Sequence, residues 1–161
     1  MTYEIRPILK KDLPQLIRLC AEHAAYEDAH FEGAGKEEQL ARALFSPKIG
    51  LLGLVAVHKE TAIGYATFIR QYSTWDAGYY LYMDCLFISE AHRGVGLGKK
   101  ILQEINQTAA KLKCIEVQWQ TPLTNEQAIR FYEREGAKKK KKARFFLRPQ
   151  ETQGTLLKGG P

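Results

Sequence analysis

The chain has 161 residues, of which 45% are hydrophobic and 26% are charged, and this suits one globular domain with an ordinary core. No apolar run approaches the ~18 residues of a membrane span, and the N-terminal residues lack the apolar stretch of a secretory signal. The formal net charge of +6 comes largely from one run, Lys138 to Lys142, so it does not by itself indicate nucleic acid. We expect a soluble protein that binds neither membrane nor nucleic acid.

Alternating and helical patterns describe the first half of the chain. Residues 3–7 alternate as in a short strand, and a helix then runs to about Tyr26, with Asp12 as its predicted N-cap and Gln15 at the capping-box position. A second, short helix ends before Ser46-Pro47. Two strands joined by a polar turn follow it and predict a hairpin. The predicted bounds of this helix and the two strands are 36–45, 51–58 and 62–70.

The second half of the chain predicts a strand-loop-helix-strand unit and then a further helix. Residues 79–88 are aromatic and apolar apart from Asp84, which predicts a central strand buried on both faces. Four elements follow this strand: an amphipathic helix, a strand, a helix with a capping box at Thr124, and an edge strand after the lysine run. Their predicted bounds are 96–112, 115–119, 124–135 and 144–147. The element order βααβββαβαβ predicts one α/β domain over residues 1–148, with a mobile tail over residues 149–161.

A glycine-rich loop lies between the predicted central strand and the amphipathic helix. Its residues are Arg93, Gly94, Val95, Gly96, Leu97 and Gly98, followed by Lys99. Backbone amides at a helix N-terminus attract anions, and glycine lets a diphosphate approach the main chain. The third glycine falls one residue too early for the dinucleotide-binding fingerprint. We therefore predict an anion site, with a plain glycine-rich turn as the alternative.

Motifs in three parts of the chain resemble the GNAT N-acetyltransferase superfamily. The first motif is Arg-x-x-Gly-x-Gly after a Leu-Phe-Ile strand end, and the second, which begins at Asn125, is Asn-x-x-Ala-x-x-Phe-Tyr-x-x-x-Gly. Ile5-Arg6-Pro7, Asp12 and Tyr26-Glu27 are similar to the diamine and polyamine (spermidine/spermine) branch, which includes thialysine acetyltransferases. The resemblance extends over most of the chain, from the first strand to the last.

The resemblance implies both a fold and an acetyl-CoA site. The sheet would be mixed and mostly antiparallel, flanked by helices and splayed in the middle between strands that end at Ile88 and start at Ile115. The pantetheine arm would pair with the strand end and the diphosphate would lie on the loop. Tyr132 would protonate the departing sulfur, although it could also be an ordinary aromatic on a helix face. The implied cofactor-binding residues are Leu86, Phe87, Ile88, Arg93, Gly94, Val95, Gly96, Leu97, Gly98, Lys99, Asn125 and Tyr132.

The same resemblance places an amine-binding groove beside Tyr26, Glu27 and Asp84. Asp84 stands where related enzymes carry a glutamate thought to accept the substrate proton, and burial would raise its pKa. A buried structural acceptor is the alternative for Asp84, and a solvated helix end is the alternative for Glu27. Relatives have a second acid where this chain has Cys85, so a short diamine or a lysine-like amino acid is as plausible a substrate as spermidine.

We therefore predict an N-acetyltransferase that moves acetyl directly from acetyl-CoA to a primary amine of a small molecule. Two alternatives remain open: an acetyltransferase of a protein or ribosome-associated amine, which would use the lysine run, and a non-catalytic acyl-CoA-binding regulator. The lysine run is most simply a solvated connection and edge strand. Three cysteines and four histidines without metal-type spacing predict reduced thiols, a cytoplasmic location and no metal. Family analogy alone predicts a homodimer.

Overall fold

A computed structural model describes residues 2–149 of the chain, in two compact units. The first unit ends at Thr124 and holds a five-stranded sheet with three helices. Its strands are β1 (Glu4–Pro7), β2 (Leu51–His58), β3 (Thr61–Ser73), β4 (Gly78–Ile88) and β5 (Val117–Gln118). Its helices are α1 (Leu13–Tyr26), α2 (Lys36–Phe45) and α3 (Leu97–Lys111), and the second unit holds α4 (Glu126–Arg134). The predicted α/β class is confirmed, and so is the predicted order of the elements as far as α4.

The sheet is mixed and opens at one end. The strands lie in the order β1-β2-β3-β4-β5, with antiparallel pairing throughout except between β4 and β5, which are parallel. That parallel ladder joins Leu81 to Val117 and Tyr82 to Gln118, whereas β4 continues to Ile88. The far end of β4 therefore extends past the part that pairs with β5. This is the splayed, mostly antiparallel sheet that the sequence predicted.

The β2–β3 hairpin fixes the register of the sheet. Lys59 and Glu60 at its turn both have positive φ, 46° and 67°, as the tight turns that match strand twist require. Farther along β3, Gly64 pairs with Ile88, and a Cβ atom on it would lie 2.8 Å from the carbonyl oxygen of Phe87. Only glycine fits there without moving the β4 backbone. The end of β4 is thus held closely against β3.

The first helix packs its apolar face on the sheet, but its N-terminus differs from the prediction. Leu13, Leu16 and Leu19 are buried, as the periodicity predicts. Asp12 does not cap α1 through its side chain; it lies in a short 3₁₀ helix and binds Arg6 instead. Gln15 likewise does not close a capping box, because its Oε1 atom accepts from the backbone amide of Ala62 at 2.7 Å. Both side chains therefore bind residues outside α1 and do not cap its N-terminus.

The C-terminal residues of the second unit also correct the prediction. Asn125, not Thr124, caps α4, since its Oδ1 accepts from the Ala128 amide at 3.2 Å. The predicted strand at Arg144–Leu147 is wrong: the structure assigns no strand there, and Phe145, Phe146 and Leu147 are about nine-tenths exposed. A strand needs a ladder partner to satisfy its backbone, and the β pattern alone does not supply one. Residues 150–161, most of the predicted tail, lie outside the described part.

The lysine run and the helices complete the description. Lys138 to Lys142 are exposed and lie outside any strand, so the predicted edge strand is absent there while the predicted solvation is confirmed. Lys139 forms an ion pair with Glu133 at 2.7 Å. Among residues 2–149, no helix combines the length and the apolarity that crossing a bilayer requires.

Candidate active site

The glycine loop joins β4 to α3 and has the backbone of an anion site. Gly94 and Gly96 have φ of +79° and +80°, and Gly96 is the N-cap of α3. A Cβ atom on either residue would meet nothing within 4 Å, so glycine is needed there for its left-handed conformation. The first turn of α3 starts at Leu97, and such a turn directs unpaired amides and the positive end of the helix dipole outward. These features fit the diphosphate of a CoA thioester.

Arg93 opens the loop but directs its side chain back to the strand. Its Nε atom donates to the carbonyl oxygen of Ile88 at 2.8 Å. The guanidinium carbon lies 4.3 Å from the ring centroid of Tyr26 and 5.4 Å from that of Phe87. Cation–π contacts of this kind stabilise by roughly 0.5–1 kcal/mol at exposed sites. Arg93 therefore ties the loop to the end of β4 and to the C-terminus of α1.

On its β5 side the end of β4 has an edge that is free of strand pairing within the described residues, although the Ile88 carbonyl accepts from Arg93. Leu86, Phe87 and Ile88 pair with Ala66, Tyr65 and Gly64 of β3. The β5 ladder reaches only Tyr82 in the described residues, so the other side of this segment is not covered by that strand. An extended amide chain such as pantetheine can pair with an edge of this kind. The edge and the loop thus adjoin along the chain, as acetyl-CoA binding requires.

Asp84 is the extra residue of a β-bulge. Thr67 pairs with Cys85 and Phe68 with Met83, so Asp84 has no opposite residue on β3. A bulge bends the strand and redirects a side chain, and Asp84 is exposed here rather than embedded. The prediction of a strand buried on both faces is therefore wrong at this position. So is the alternative of a buried structural acceptor, and Asp84 is left open to a ligand.

The C-terminal end of α1 lies against β4 through aromatic contacts. The His23 ring stacks on Phe87 with centroids 4.9 Å apart and an angle of 20°. Tyr26 is 47% exposed under the Arg93 guanidinium, and the Glu27 side chain is 40% exposed. The structure thus brings together the predicted Tyr26 and Glu27 with Phe87 and Arg93. The carboxylates of Glu27 and Asp84 both act electrostatically on His23, and they give the site its negative charge.

Sequence reasoning gave His23 no role beyond the absence of metal-type spacing among the histidines. Its Nδ1 atom lies 3.0 Å from the Tyr65 hydroxyl, and its Nε2 atom lies 3.3 Å from the Glu27 carboxylate. Burial, opposed by Glu27, lowers the pKa of His23, so the ring is neutral at neutral pH. The signal was available, because His23 continues the spacing of Leu16 and Leu19 on the buried face of α1.

The hydroxyl of Tyr65 and the nearby thiols of Cys20 and Cys85 are uncharged at neutral pH. Burial raises the pKa of Tyr65 and of Cys20, and it raises the pKa of Cys85 to about 12, with the Asp84 charge as a further cause. The three therefore keep their protons at neutral pH. All three cysteines are free, half-buried thiols, and residues 2–149 contain no cluster of three or more side chains that could hold a metal ion.

The second unit carries the two remaining predicted residues. Asn125 uses its Oδ1 atom as the cap of α4, which leaves its amide nitrogen as the group that could donate to a cofactor. Tyr132 is half-buried on α4, with its ring 5.2 Å from that of Phe131. Gly136 has a φ of +89°, which suits the left-handed residue that ends a helix. The roles of Asn125 and Tyr132 remain predictions.

Comparison with known proteins agrees with this arrangement. Residues 13–137 match the family model described as Acetyltransferase (GNAT) family, which spans both units of the chain. The chain belongs to the GNAT acetyltransferase family. A GNAT domain is that of an acetyl-CoA-dependent N-acetyltransferase, so the predicted family and enzyme class are confirmed.

Individual relatives of this GNAT chain share about a quarter of its residues. It is 26% identical over 131 residues to the thialysine N-epsilon-acetyltransferase of Caenorhabditis elegans, covering 81% of this chain and 80% of that protein. It is 25% identical to the human spermidine/spermine N(1)-acetyltransferase-like protein 1, over 84% of this chain but only 20% of the human protein.

A solved structure shows the same fold. An aminoglycoside acetyltransferase from an uncultured soil metagenomic sample, in complex with sisomicin, matches with a TM-score of 0.78 and 22% identity. The match covers 92% of this chain and 97% of that one. At this identity the likeness shows the fold, and it leaves the amine acceptor of the GNAT chain to be argued from its own residues.

Proposed function

We propose that this chain transfers acetyl from acetyl-CoA to a primary amine of a small molecule, a diamine, polyamine or lysine-like amino acid. One observation carries the proposal. The acidic end of α1 is joined through Phe87 and Arg93 to the free edge of β4 and to the glycine loop. A site for a cation therefore adjoins a site for an anionic cofactor. The names of the thialysine and spermidine/spermine relatives support the same class of acceptor.

The charges of the site favour a short amine. Glu27 and Asp84 are both exposed carboxylates, and the next position, Cys85, is neutral because burial raises the pKa of its thiol to about 12. Two carboxylates suit one or two ammonium groups. A long polycation would find fewer partners here, so we place diamines and lysine-like amino acids ahead of spermidine.

The chemistry assigns one task to each group. Acetyl-CoA supplies the acetyl group as a thioester. The exposed Asp84 carboxylate takes the proton that the amine must lose, the amine nitrogen bonds to the acetyl carbon, and the carbon–sulfur bond breaks. Tyr132 donates its hydroxyl proton to the departing sulfur and regains one from solvent. Backbone amides beside the thioester polarise the carbonyl as the charge develops.

Cofactor binding completes the proposal. Leu86 to Ile88 would hold the pantetheine arm, residues 93–99 the diphosphate, and Asn125 a further polar group of the cofactor. Residues 1–148 would act as one domain, in the cytoplasm, and as a homodimer. Sedimentation of the purified chain distinguishes a dimer from a monomer.

A thiol-release assay tests the proposal. Purified protein with acetyl-CoA is offered diamines, polyamines, lysine analogues and aminoglycosides, and we expect release with one amine class. Tyr132→Phe should lower kcat by about 10²- to 10⁴-fold, the usual contribution of a general acid. Tyr72→Phe is the matched control, because Tyr72 is 54% exposed and its ring contacts that of Tyr79 near the turn between β3 and β4. No release with any small amine, despite tight acetyl-CoA binding, contradicts the proposal.

A macromolecular acceptor is the second candidate, and the exposed Lys138–Lys142 run favours it. Such a run would bring salt-sensitive co-purification with RNA or ribosomes. The small-amine proposal predicts none, so a wash series of increasing salt on the purified protein separates the two.

A further inference from the structure

Three side chains from two elements form a hydrogen-bonded row that ends at the amine site. His23 on α1 lies between the Tyr65 hydroxyl of β3, 3.0 Å from Nδ1, and the Glu27 carboxylate, 3.3 Å from Nε2. Only 15% of the His23 side chain is exposed, whereas 40% of Glu27 is. The row therefore runs from the buried sheet to the solvent, and its open end is the carboxylate.

The partners determine which nitrogen of His23 carries the proton. A carboxylate can only accept, so Nε2 must donate to Glu27. Nδ1 of the neutral ring is then an acceptor, and the Tyr65 hydroxyl donates to it. Tyr65 keeps its proton because burial raises its pKa far above its usual range. Each group has one consistent role, and the Nε2–H bond fixes the orientation of the Glu27 carboxylate.

The surroundings keep this ring neutral while leaving it able to titrate. Four ionisable groups face the His23 ring: Glu27 at the C-cap of α1, Tyr65 of β3, Asp84 of β4 and Arg93 of the loop. The Cys20 and Cys85 thiols lie beyond Tyr65. Burial lowers the pKa of His23, and Arg93 acts in the same direction. Glu27 and Asp84 oppose that shift. Any cation that neutralises Glu27 would therefore lower the pKa further.

We propose that His23 is a positioning residue that orients Glu27 and, while neutral, leaves its full negative charge to an ammonium group of the substrate. This inference rests on the proposed function, in which Glu27 binds the amine. Protonation of His23 would compensate the Glu27 charge and remove the acceptor of the Tyr65 hydroxyl. Binding of a diamine should then weaken as pH falls, at a pH set by His23 and not by the amine.

The proposal requires a reciprocal effect that can be measured without turnover. If protonated His23 weakens diammonium binding, the diammonium must lower the pKa of His23 by the same free energy. An NMR titration of the histidine side chains, with His23→Gln used for assignment, follows this pKa between about pH 4.5 and 8. 1,4-Diaminobutane is the probe and acetyl-CoA is left out.

Two shifts are expected in that titration. Saturating 1,4-diaminobutane and the Glu27→Gln substitution should each lower the pKa of His23, because each removes the carboxylate charge that favours the imidazolium. Glu38→Gln, which removes an exposed carboxylate of α2 that pairs with Arg42, is the matched control and should leave the pKa of His23 unchanged. Absence of either His23 shift overturns the proposal, whatever the enzyme acetylates.

Steady-state kinetics of two His23 variants then separate the orientation of Glu27 from the protonation of His23. His23→Gln keeps a donor toward Glu27 but cannot ionise. The ratio of kcat/KM for a diamine to kcat/KM for a monoamine, in which the contribution of Asp84 cancels, should fall with acid in the wild type and stay constant in His23→Gln. His23→Leu loses the donor as well, and KM for the diamine should rise about tenfold even at pH 8. A monoamine should respond to neither substitution. Tyr72→Phe, which changes an exposed side chain that contacts Tyr79, is the control and should retain the wild-type profile.

Failures of the two proposals look different. No thiol release by the wild-type protein with any amine contradicts the proposed function, and the NMR titration still decides the role of His23. Normal turnover with an unchanged pH profile in His23→Gln overturns the positioning role and leaves the proposed function intact.

Discussion

The two ends of α1 each hold a carboxylate beside a basic side chain, in opposite settings. At the N-terminal end, Asp12 is 4% exposed and accepts from both Arg6 nitrogens, at 2.6 and 2.9 Å, and from the Leu9 amide at 2.8 Å. At the C-terminal end, Glu27 is 40% exposed and meets His23 at 3.3 Å. A saturated, buried carboxylate holds the fold together, whereas an exposed one keeps capacity for a ligand.

Removing the buried carboxylate should have the largest effect. Asp12→Asn leaves the Arg6 guanidinium with only the longer contact to exposed Glu4, at 3.9 Å, and breaking a buried pair in this way lowers the free energy of unfolding by about 3 kcal/mol. Urea denaturation at neutral pH measures this loss in the free energy of unfolding. The matched control is Glu38→Gln, which breaks the exposed Arg42–Glu38 pair and should cost less than about 0.5 kcal/mol. Equal losses for the two substitutions would remove the distinction between buried and exposed pairs.

Removing the exposed carboxylate should change binding and leave the fold intact. Glu27→Gln keeps the shape of the side chain but loses the charge, so KM for a diamine should rise about tenfold, the usual value of a charge-assisted hydrogen bond. The midpoint of urea unfolding should stay close to that of the wild type. A drop in stability as large as that of Asp12→Asn would mean that Glu27 is structural after all.

Acid should weaken the two ends of α1 in separate steps. The pKa of His23 is lowered by burial from near 6.5, so the unfolded chain binds this proton first and stability falls as pH drops below that value. The pKa of Asp12 is lowered by its Arg6 hydrogen bonds from near 3.8, so its contribution is lost only at more acid pH. Unfolding measured across pH should lose the first step in His23→Gln and the second in Asp12→Asn. A single step in the wild type contradicts this assignment.

Arg93 should show the smallest effect, because it connects the acidic end of α1 to the loop without belonging to either carboxylate. Arg93→Lys keeps the charge but loses the Nε bond to Ile88 and the flat face over Tyr26, a loss of about 1 kcal/mol. KM should rise severalfold for both acetyl-CoA and the amine. Lys100→Arg, an exposed position on α3, is the control. An effect on acetyl-CoA alone would mean that Arg93 serves only the cofactor.

The sequence predicted the parts of the molecule that depend on neighbouring residues. The glycine loop and its place before α3 follow from local spacing and are found where the pattern placed them, and the helix predicted over 124–135 is found as α4, which begins two residues later. The same holds for the hairpin at Lys59 and Glu60. Local turn chemistry and helical periodicity decide these features, so a single sequence is enough to predict them.

Long-range partners decided what the sequence did not predict. The exposure of Asp84 depends on a bulge in the β3–β4 register, which no single strand reveals. His23 gains its role from Tyr65, 42 residues away along the chain. Asp12 prefers Arg6 to the helix terminus, and Arg144–Leu147 has the composition of a strand without forming one. In each case the presence or the absence of a tertiary partner decides against the local preference.

The most direct test compares thiol release from acetyl-CoA with a diamine and with a monoamine, for the wild-type protein and for Glu27→Gln. The wild type should acetylate both and prefer the diamine, and Glu27→Gln should lose about tenfold in that preference while keeping its rate with the monoamine. Release by the wild type with neither amine would contradict acetyl transfer to small amines. An undiminished preference in Glu27→Gln would contradict the role of the acidic end of α1.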